Sequence, residues 1–423
     1  MSAQGERVLV FISAWKCIGS CRDFLGETGK QDNGYMDLPL KYGLNPHQHP
    51  ARLTLPSTSP LRVLNGTPGY VNIIDALGAW QLARELKQAT GAAGAASFKH
   101  ASPAGAAIAG TLSENYLASQ FLAGKEYSPG AAAYIRARGG DRMCSFGDAA
   151  AVSEVVDKSL ANVLRREVSD LIIAPGYEPD ALEILCAKKG GGYLILEIDP
   201  DFEPPEVEQR SLFGLQLEQP RNTAAITRQT FSNIVTDNRD ITDSTLDTLV
   251  VATIALKYTQ SNSVCVAYEG QVIGMGAGQQ SRIHCTRLAC GKADKWFLQQ
   301  HPRTLDLPFR EGLKRTEKTN LVDQYLLWEQ LSNTEEARML DDLEERPDPI
   351  PPEERQRYLS RFDGVCLSSD AYIPFRDNID RASRSNVKYV AQTGGSAADK
   401  GVTEAADDYG MVMAHTGLRL FLH

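Results

Sequence analysis

The chain has 423 residues, 42% of them hydrophobic and 23% charged, the balance of an ordinary soluble globular protein. At roughly 100–200 residues per domain, this length suggests two to four compact units. A formal net charge of −9 argues against broad nucleic-acid binding but permits a local basic pocket for a small anion. No apolar run approaches the roughly 18–20 residues that cross a bilayer. Val8–Trp15 is short and has no small-residue cleavage site behind it, so it reads as a strand or an extension and the chain is expected in the cytoplasm, away from membranes. The eight cysteines, Cys17, Cys21, Cys144, Cys186, Cys265, Cys285, Cys290 and Cys366, contain no Cys-x-x-Cys pair, which argues against structural zinc and for reduced thiols.

Residues 1–30 look unlike the rest and run into the polar, Gly-rich stretch Gly26–Gly34; a globular pattern starts near Leu38. Ile73, Leu77, Trp80 and Leu86 have a helical period, with Asn72 as N-cap and Gly91 just past the end. Ala95–Phe98 reads as a strand. Ser102–Pro103 then reads as the opening of a helix, which puts Lys99 and His100 at a strand's carboxyl end, facing a helix N-terminus. Asp199–Glu208, with its paired prolines, reads as a connector between two halves. Ser263–Tyr268 and Gln271–Met275 flank Glu269–Gly270 as a hairpin, and a Gly-rich turn, Gly274–Gly278, leads to a helix from about Gln280 to Leu288. The charged segment from Gln299 to Phe362 reads as a helical insertion containing a surface loop, Glu344–Arg355. A faint repeat pairs Ser145–Asp157 with Ser369–Asp380, each followed by a β-like run, a Gly turn and a helix, and suggests two related α/β halves.

Five stretches could carry chemistry. Lys99–His100 would supply a cation and a base to one site, or is a surface lysine beside a core histidine. Gly274–Arg282 would let the backbone approach an anion, or is a tight turn without a ligand. Lys41–Gln48 collects a cation, a tyrosine, an asparagine and a histidine in what is otherwise a polar loop. Ser369–Asp380 mixes apolar and polar groups in the manner that suits a planar heterocycle, although Arg376 and Asp377 would equally form a solvated ion pair. The apolar end Leu418–His423 is expected to be docked, so that Arg419 and Phe421 face something.

Together, KYGLNPHQ, VLNGTPGYVNIIDALGAWQL, AASFKHASPAGAA, RARGGDRMCSFGDAA, REVSDLIIAPGYE, KYTQSNSVCVAYEGQVIGMGAGQQSRIHCTRLA, SSDAYIPFRDNIDRA and GSAADK resemble, in order and over residues 31–423, the transformylase half of the bifunctional purine-biosynthesis family. That family joins 5-aminoimidazole-4-carboxamide ribonucleotide (AICAR) formyltransferase to IMP cyclohydrolase. The family's N-terminal cyclohydrolase domain has no counterpart in residues 1–30, so the resemblance implies a stand-alone transformylase served by a separate IMP cyclohydrolase. Lys41 stands where the family more often has Arg, Tyr372 where Phe is common and Leu422 where His is common; Lys41 meets a phosphate as a point charge only.

The resemblance implies an α/β fold of two cytidine-deaminase-like three-layer α/β/α units related by a pseudo-twofold, in an intertwined homodimer without zinc. The first unit would hold 31–205, with the helical segment 300–362 packed on it; the second would hold 206–299 and 363–423. The implied reaction moves the formyl group of 10-formyltetrahydrofolate to the 5-amino group of AICAR. His100 would be general base, a role worth roughly 10²–10⁴ in rate. Lys99 and the Asn262 amide would donate to the oxyanion, at roughly 3–4 kcal/mol for a good donor. Lys99 or the His100 imidazolium would protonate the leaving nitrogen. The resemblance places Lys41, Tyr42, Asn72, Asp170, Arg282, Tyr372, Arg419 and Phe421 on AICAR, and Met143, Phe146, Gly147, Ser281, Ile283, Pro374, Asp377 and His423 on the folate. It extends to a monovalent cation, K⁺, at Thr259, Ser261, Ser263 and Asp370. A zinc-dependent deaminase would need a Cys-x-x-Cys that is missing, and a non-catalytic nucleotide-binding relative would not need Lys99, His100 and Asn262 intact.

Overall fold

The computed structural model describes residues 35–56, 58–122 and 126–423; Val8–Trp15, Cys17, Cys21 and the stretch Gly26–Gly34 lie outside them. A hairpin of β1 (Tyr35–Leu40) and β2 (Ala51–Pro56) precedes β3 (Leu61–Asn65). Then come α1 (Tyr70–Thr90), β4 (Gly94–Lys99), β5 (Ser102–Ile108), α2 (Pro129–Gly139), β6 (Asp148–Val152), α3 (Lys158–Arg166), β7 (Ser169–Ala174), α4 (Pro179–Cys186) and β8 (Leu194–Ile198). A second hairpin, β9 (Val207–Leu212) with β10 (Leu215–Pro220), has every strand residue exposed. The same series then recurs as α5 (Asp243–Lys257), β11 (Val264–Tyr268), β12 (Gln271–Gly276), α6 (Arg282–Leu298), β13 (Val365–Ser369), α7 (Asp377–Arg384), β14 (Val387–Gln392), α8 (Asp399–Asp408) and β15 (Val412–His415). Between α6 and β13 lie helices at Pro302–Leu305, Arg315–Leu326, Asn333–Asp341 and Pro352–Leu359.

Eleven strands form one mixed sheet in the order β15-β14-β13-β11-β12-β5-β4-β6-β7-β8-β3. In each half, the hairpin's first strand lies inside and pairs antiparallel with the next strand, to which two more are added in parallel. The halves meet where β12 runs antiparallel to β5, with Gln271 opposite Ala107. Both faces of the sheet are covered. Leu171 and Ile173 of β7 join a core with Trp80 and Leu82 of α1 and Leu249 and Ile254 of α5. Ile172 points the other way, into a core with Tyr134 of α2, Leu160 and Leu164 of α3 and Phe297 of α6. No helix among the described residues is long and apolar enough to cross a membrane.

The repeat is therefore topological, and the sequence match catches part of it. β7 and β14 correspond, as do α4 and α8, but Ser145–Asp157 contains β6 whereas Ser369 ends β13, so those two segments are out of register. Other expectations change as well. Gly69, not Asn72, is the residue before α1; Asn72 sits in the first turn and its Oδ1 accepts the Gly69 N–H at 2.8 Å. Gly91 ends α1 in the left-handed region, φ 74°. Asp199–Glu208 is irregular only as far as β9, which takes its last two residues, and Glu344–Arg355 gives way to a helix at Pro352.

Ser102–Pro103 opens a strand, not a helix. His100 and Ala101 turn the chain with φ of 53° and 58°, and Lys99 pairs with Ser102 across the turn. Pro103 lacks an amide proton and sits where the β4–β5 register shifts, a position that tolerates it. Gly274 and Gly276 belong to β12 rather than to a turn, and α6 begins at Arg282 and runs to Leu298. Their role is close packing: a Cβ at Gly274 would stand 2.1 Å from the Ala289 carbonyl oxygen, and one at Gly276 would stand 2.2 Å from that of Cys285. Gly276→Ala should accordingly destabilise the fold by at least the ~1–3 kcal/mol of overpacking. Gly291→Ala, in α6 with nothing within 4 Å of its would-be Cβ, should be neutral or stabilise by about 0.5–1 kcal/mol. Urea denaturation midpoints of the two variants compare them directly.

Candidate active site

The strand pairing collects the expected residues along one edge of the sheet. That edge holds the carboxyl end of β4, the amino ends of β5, β6 and β7, the carboxyl end of β12, the amino end of β11 and the carboxyl end of β13. Lys99 ends β4 and is half-buried; its Nζ donates to the Phe146 carbonyl oxygen. His100 follows on the exposed turn. The expected helix N-terminus is not there. The turn's amides go instead to Asp75 of α1: His100 N–H to Oδ2 at 3.2 Å and Ala101 N–H to Oδ1 at 2.8 Å. Burial raises the Asp75 carboxyl above its usual range, against the lowering effect of those two bonds.

Three more elements complete this first cluster. Lys41 and Tyr42 are exposed on the loop after β1, which is tied to the start of α1 by Lys41 N–H to Pro68 O at 3.2 Å and Tyr70 N–H to Tyr42 O at 3.4 Å. Asn72 lies in that first turn. Met143, Phe146 and Gly147, all half-buried, form the turn before β6. Gly147 faces Asp170 of β7, whose Oδ2 would lie 3.4 Å from a Cβ there; Asp170 pairs with Lys189 at 2.7 Å.

That turn rests on a buried ionic network. Arg138 pairs with Asp148 at 2.8 Å and Glu167 at 3.2 Å, and donates to the Ser145 carbonyl at 2.7 Å. Arg142 and Arg315 also reach Glu167, at 3.3 and 3.0 Å. Ser97, two residues before Lys99, donates to Asp148 at 2.7 Å. Sequence reading missed Asp75, Arg138 and Glu167. The signal was an acid on an apolar helix face and arginines among small residues, which do not by themselves say which charges pair.

The second cluster surrounds Asp370, fully buried after β13. Its carboxylate receives the Arg282 guanidinium, the Ser261 hydroxyl at 2.7 Å, and the Ser263 amide and hydroxyl at 2.9 and 3.0 Å. Arg282, buried at the start of α6, also donates to the Ser263 carbonyl at 2.8 Å and to Asn262 Oδ1 at 3.0 Å. Three of the five N–H donors of its guanidinium are thus engaged within the protein. Thr259 is turned away, its hydroxyl donating to Ala255 O at 2.7 Å. Ser281 and Ile283 flank Arg282 and are half-buried.

Tyr372 and Asp377 are exposed and Pro374 half-buried on the segment between β13 and α7; the Asn378 amide donates to Asp377 at 3.0 Å. The chain end is docked as expected. Leu420 N–H donates to Asp370 O at 2.8 Å, and Ser261 N–H to Leu422 O at 3.0 Å. Arg419 lies over the Phe421 ring at 5.0 Å, Phe421 stands edge-on to His423 at 5.7 Å, and the His423 carbonyl accepts from Arg210. A link between the clusters is the Gln260 N–H to Ser102 hydroxyl bond at 3.3 Å.

This edge offers a lysine, an exposed imidazole, a side-chain amide and a cationic rim, the parts of an acyl-transfer site for an anionic substrate. Burial raises the thiols of Cys144 and Cys285 to about 11 each, which removes them as thiolate nucleophiles near neutral pH. Among the described residues, no group of three His, Cys, Asp or Glu could hold a metal ion.

Residues 24–292 match the AICARFT/IMPCHase bienzyme family, over more than half of the chain. The chain belongs to this family. It is 29% identical over 395 residues to the bifunctional purine biosynthesis protein PurH of Roseobacter denitrificans, covering 92% of this chain and 60% of that protein. It is 28% identical over 393 residues to PurH of Sorangium cellulosum, covering 91% and 58%, and 28% identical over 417 residues to PurH of Caulobacter vibrioides, covering 97% and 63%. The chain thus spans about three-fifths of the length of these relatives.

The ionic network under the Phe146 turn sets a pH dependence. Burial alone would raise Glu167, but Arg142, Arg138 and Arg315 outweigh it and hold its carboxyl below the ordinary value. A depressed carboxyl stabilises the fold above its unfolded-state pKa, and that contribution fades as pH falls through the folded value. Glu167→Gln should therefore cost on the order of 3–5 kcal/mol at pH 7, as for a broken buried ion pair. The gap to the native protein should narrow as pH falls below about 4.3, where the unfolded carboxyl protonates. Denaturation curves of both proteins across this range supply the measurement.

Proposed function

We propose that this chain transfers the formyl group of 10-formyltetrahydrofolate to the 5-amino group of AICAR, giving the formamido nucleotide that an IMP cyclohydrolase consumes. The observation that carries the reading is the presentation of Lys99 and His100 on one turn, on the same sheet edge as Asn262, in a chain of this family. The AICAR amine is a weak nucleophile because its lone pair is delocalised into the ring and carboxamide. His100 takes its proton as it attacks the formyl carbon. Negative charge then develops on the formyl oxygen, and Lys99 and the Asn262 amide N–H donate to it. The proton for the leaving folate nitrogen comes from Lys99 or from the imidazolium just formed.

In this reading Lys41, Tyr42, Asn72 and Asp170 take the nucleotide with Tyr372, Arg419 and Phe421, while Met143, Phe146, Gly147, Ser281, Ile283, Pro374, Asp377 and His423 line the folate. Arg282 joins the nucleotide-binding residues with the donors left over, since Asp370, Ser263 and Asn262 take three of the five that a guanidinium carries. Ser261, Ser263 and Asp370 have the all-oxygen chemistry that suits a hard cation and would hold K⁺. Such an ion would add positive charge at the Asp370 carboxylate and stiffen the segment leading to Asn262. The two units would be cytidine-deaminase-like, a reading supported by the repeated helix, hairpin and strand order. The setting proposed is the cytoplasm.

We also propose a homodimer. A two-stranded hairpin is at best marginally stable alone in water. Here β9–β10 projects with Phe213 fully exposed at its tip, beside exposed Leu212, Leu215 and Leu217, as an arm that a second copy would cover. Phe213→Asp combined with Leu215→Asp should shift the sedimenting species from dimer to monomer; an unchanged dimer would remove the arm from the interface.

Purified protein incubated with AICAR and 10-formyltetrahydrofolate should yield the formamido nucleotide on chromatography. Lys99→Ala and His100→Ala should each lower kcat by at least about 10²-fold, with nucleotide binding little changed. The double variant should fall far short of the product of the two losses, because both residues serve one transition state. Near-native turnover in either single variant would contradict the assignment.

A further inference from the structure

We infer that Asp75 is a positioning residue for this chemistry, acting through the turn that presents His100; this rests on the role proposed above for His100. Asp75 is the one acid on the buried face of α1, among Ile73, Ala76, Ala79 and Trp80. It is only 7% exposed, and no Lys or Arg is among the described groups that act on its carboxyl. The hydrogen bonds it receives come from the two central amides of the turn, one to each carboxylate oxygen. A buried carboxylate is costly unless hydrogen-bonded, so its place in the fold is accounted for by the turn it holds.

The turn needs such a partner. Both central residues stand in the left-handed region, at φ 53° and 58°, and neither is glycine. Two-residue hairpin turns of this kind favour Asn-Gly, Asp-Gly or Gly-Gly because a Cβ is unfavourable there. Strained backbone of this sort persists where the surroundings over-determine it, and a carboxylate that binds both amides at once does so. Without it the turn would be free to relax and carry the imidazole away. A misplacement of about 1 Å costs on the order of 10²-fold in rate.

Asp75 should leave nucleotide binding alone. Asn72 is fixed separately by its bond to Gly69, and Lys41 and Tyr42 are tied to Pro68 and Tyr70. The signature of positioning is therefore a fall in kcat at unchanged KM. In the full chain, Asp75→Ala should lower kcat at least about 10-fold with the AICAR KM within about threefold. Hydrogen exchange of the segment 99–102 should quicken by at least about 10-fold, with the rest of the sheet unchanged. Asp75→Asn keeps the size and one acceptor oxygen, so it should recover part of both, and it is the arm that stands if the alanine variant does not fold.

Native kcat in a folded variant whose turn exchanges faster would overturn the proposal, since Asp75 would then hold the turn without serving the reaction. Native kcat with native exchange would overturn it too. If the native chain transfers no formyl group, the reading of the reaction falls, and exchange in 99–102 alone decides whether Asp75 holds the turn.

Discussion

The structure depends on helix backbone pressed directly against strand backbone at the centre of the sheet. A Cβ at Gly94 would meet the Ala83 carbonyl oxygen of α1 at 2.5 Å, and one at Gly105 would meet that of Ala137 of α2 at 2.1 Å. Gly274 and Gly276 stand in the same relation to α6, and Gly140, just after α2, would reach the Val272 carbonyl of β12 at 2.2 Å. These contacts lie on both sides of the β5–β12 junction, where the two halves become one sheet. Interiors pack too densely for such gaps to be opened by side chains without displacement. Small residues on β4, β5, β6 and β12 are thus what lets two similar halves share a sheet, and only with the sheet continuous do the turn at His100 and the segment at Asn262 fall on one edge.

Much of this was legible in the sequence where local chemistry and tertiary demand agree. The α1 period, the β11–β12 hairpin, the helices between Gln299 and Phe362 and the docked chain end are all as read. Where glycine and serine were misread, the cause is that their local signals have several tertiary uses. Ser102–Pro103 has the appearance of a helix start, yet the decisive fact is a carboxylate from a helix 25 residues upstream binding the preceding amides. Gly274 and Gly276 look like an anion loop because glycine permits turns, but here it is the missing Cβ that matters, not the freedom of φ. The β9–β10 arm escaped altogether: its exposed residues have no core-facing alternation to reveal them. The candidate site was legible through its motif resemblance; the supports under it, Asp75, Arg138 and Glu167, were not, because pairing among buried charges is a property of the fold.

The two clusters are held against each other by more than the sheet. Glu85 of α1 accepts two bonds from Lys257 of α5, at 3.1 and 3.0 Å, and one from the Tyr258 hydroxyl at 2.5 Å. The pair is only slightly exposed, so its attraction is screened less than a surface ion pair would be. Tyr258 leads directly into Gln260, which bonds Ser102, and then into Asn262. Any shift of α5 against α1 would therefore move Asn262 relative to Lys99. The same helix, α1, carries Asn72 and Asp75 near its start and Glu85 further along, so one rigid element fixes the Asn72 end, the His100 turn and the second half together.

The Arg282 contacts bear on which atom of Asn262 can act. A side-chain amide offers a carbonyl oxygen or an amino group, and only the amino group stabilises an oxyanion. Arg282 donates to Asn262 Oδ1, and Arg282 is itself fixed by Asp370 and the Ser263 carbonyl. A guanidinium has donors and no acceptor, so it can hold the amide in one sense only, oxygen inward. The amino group is then left to face away from Arg282. Arg282 thus acts on Asn262 apart from any ligand contact: its charge meets Asp370, and its geometry sets which end of the neighbouring amide is presented. A lysine in its place would supply the charge but not the planar fork that reaches Asp370, Ser263 and Asn262 at once.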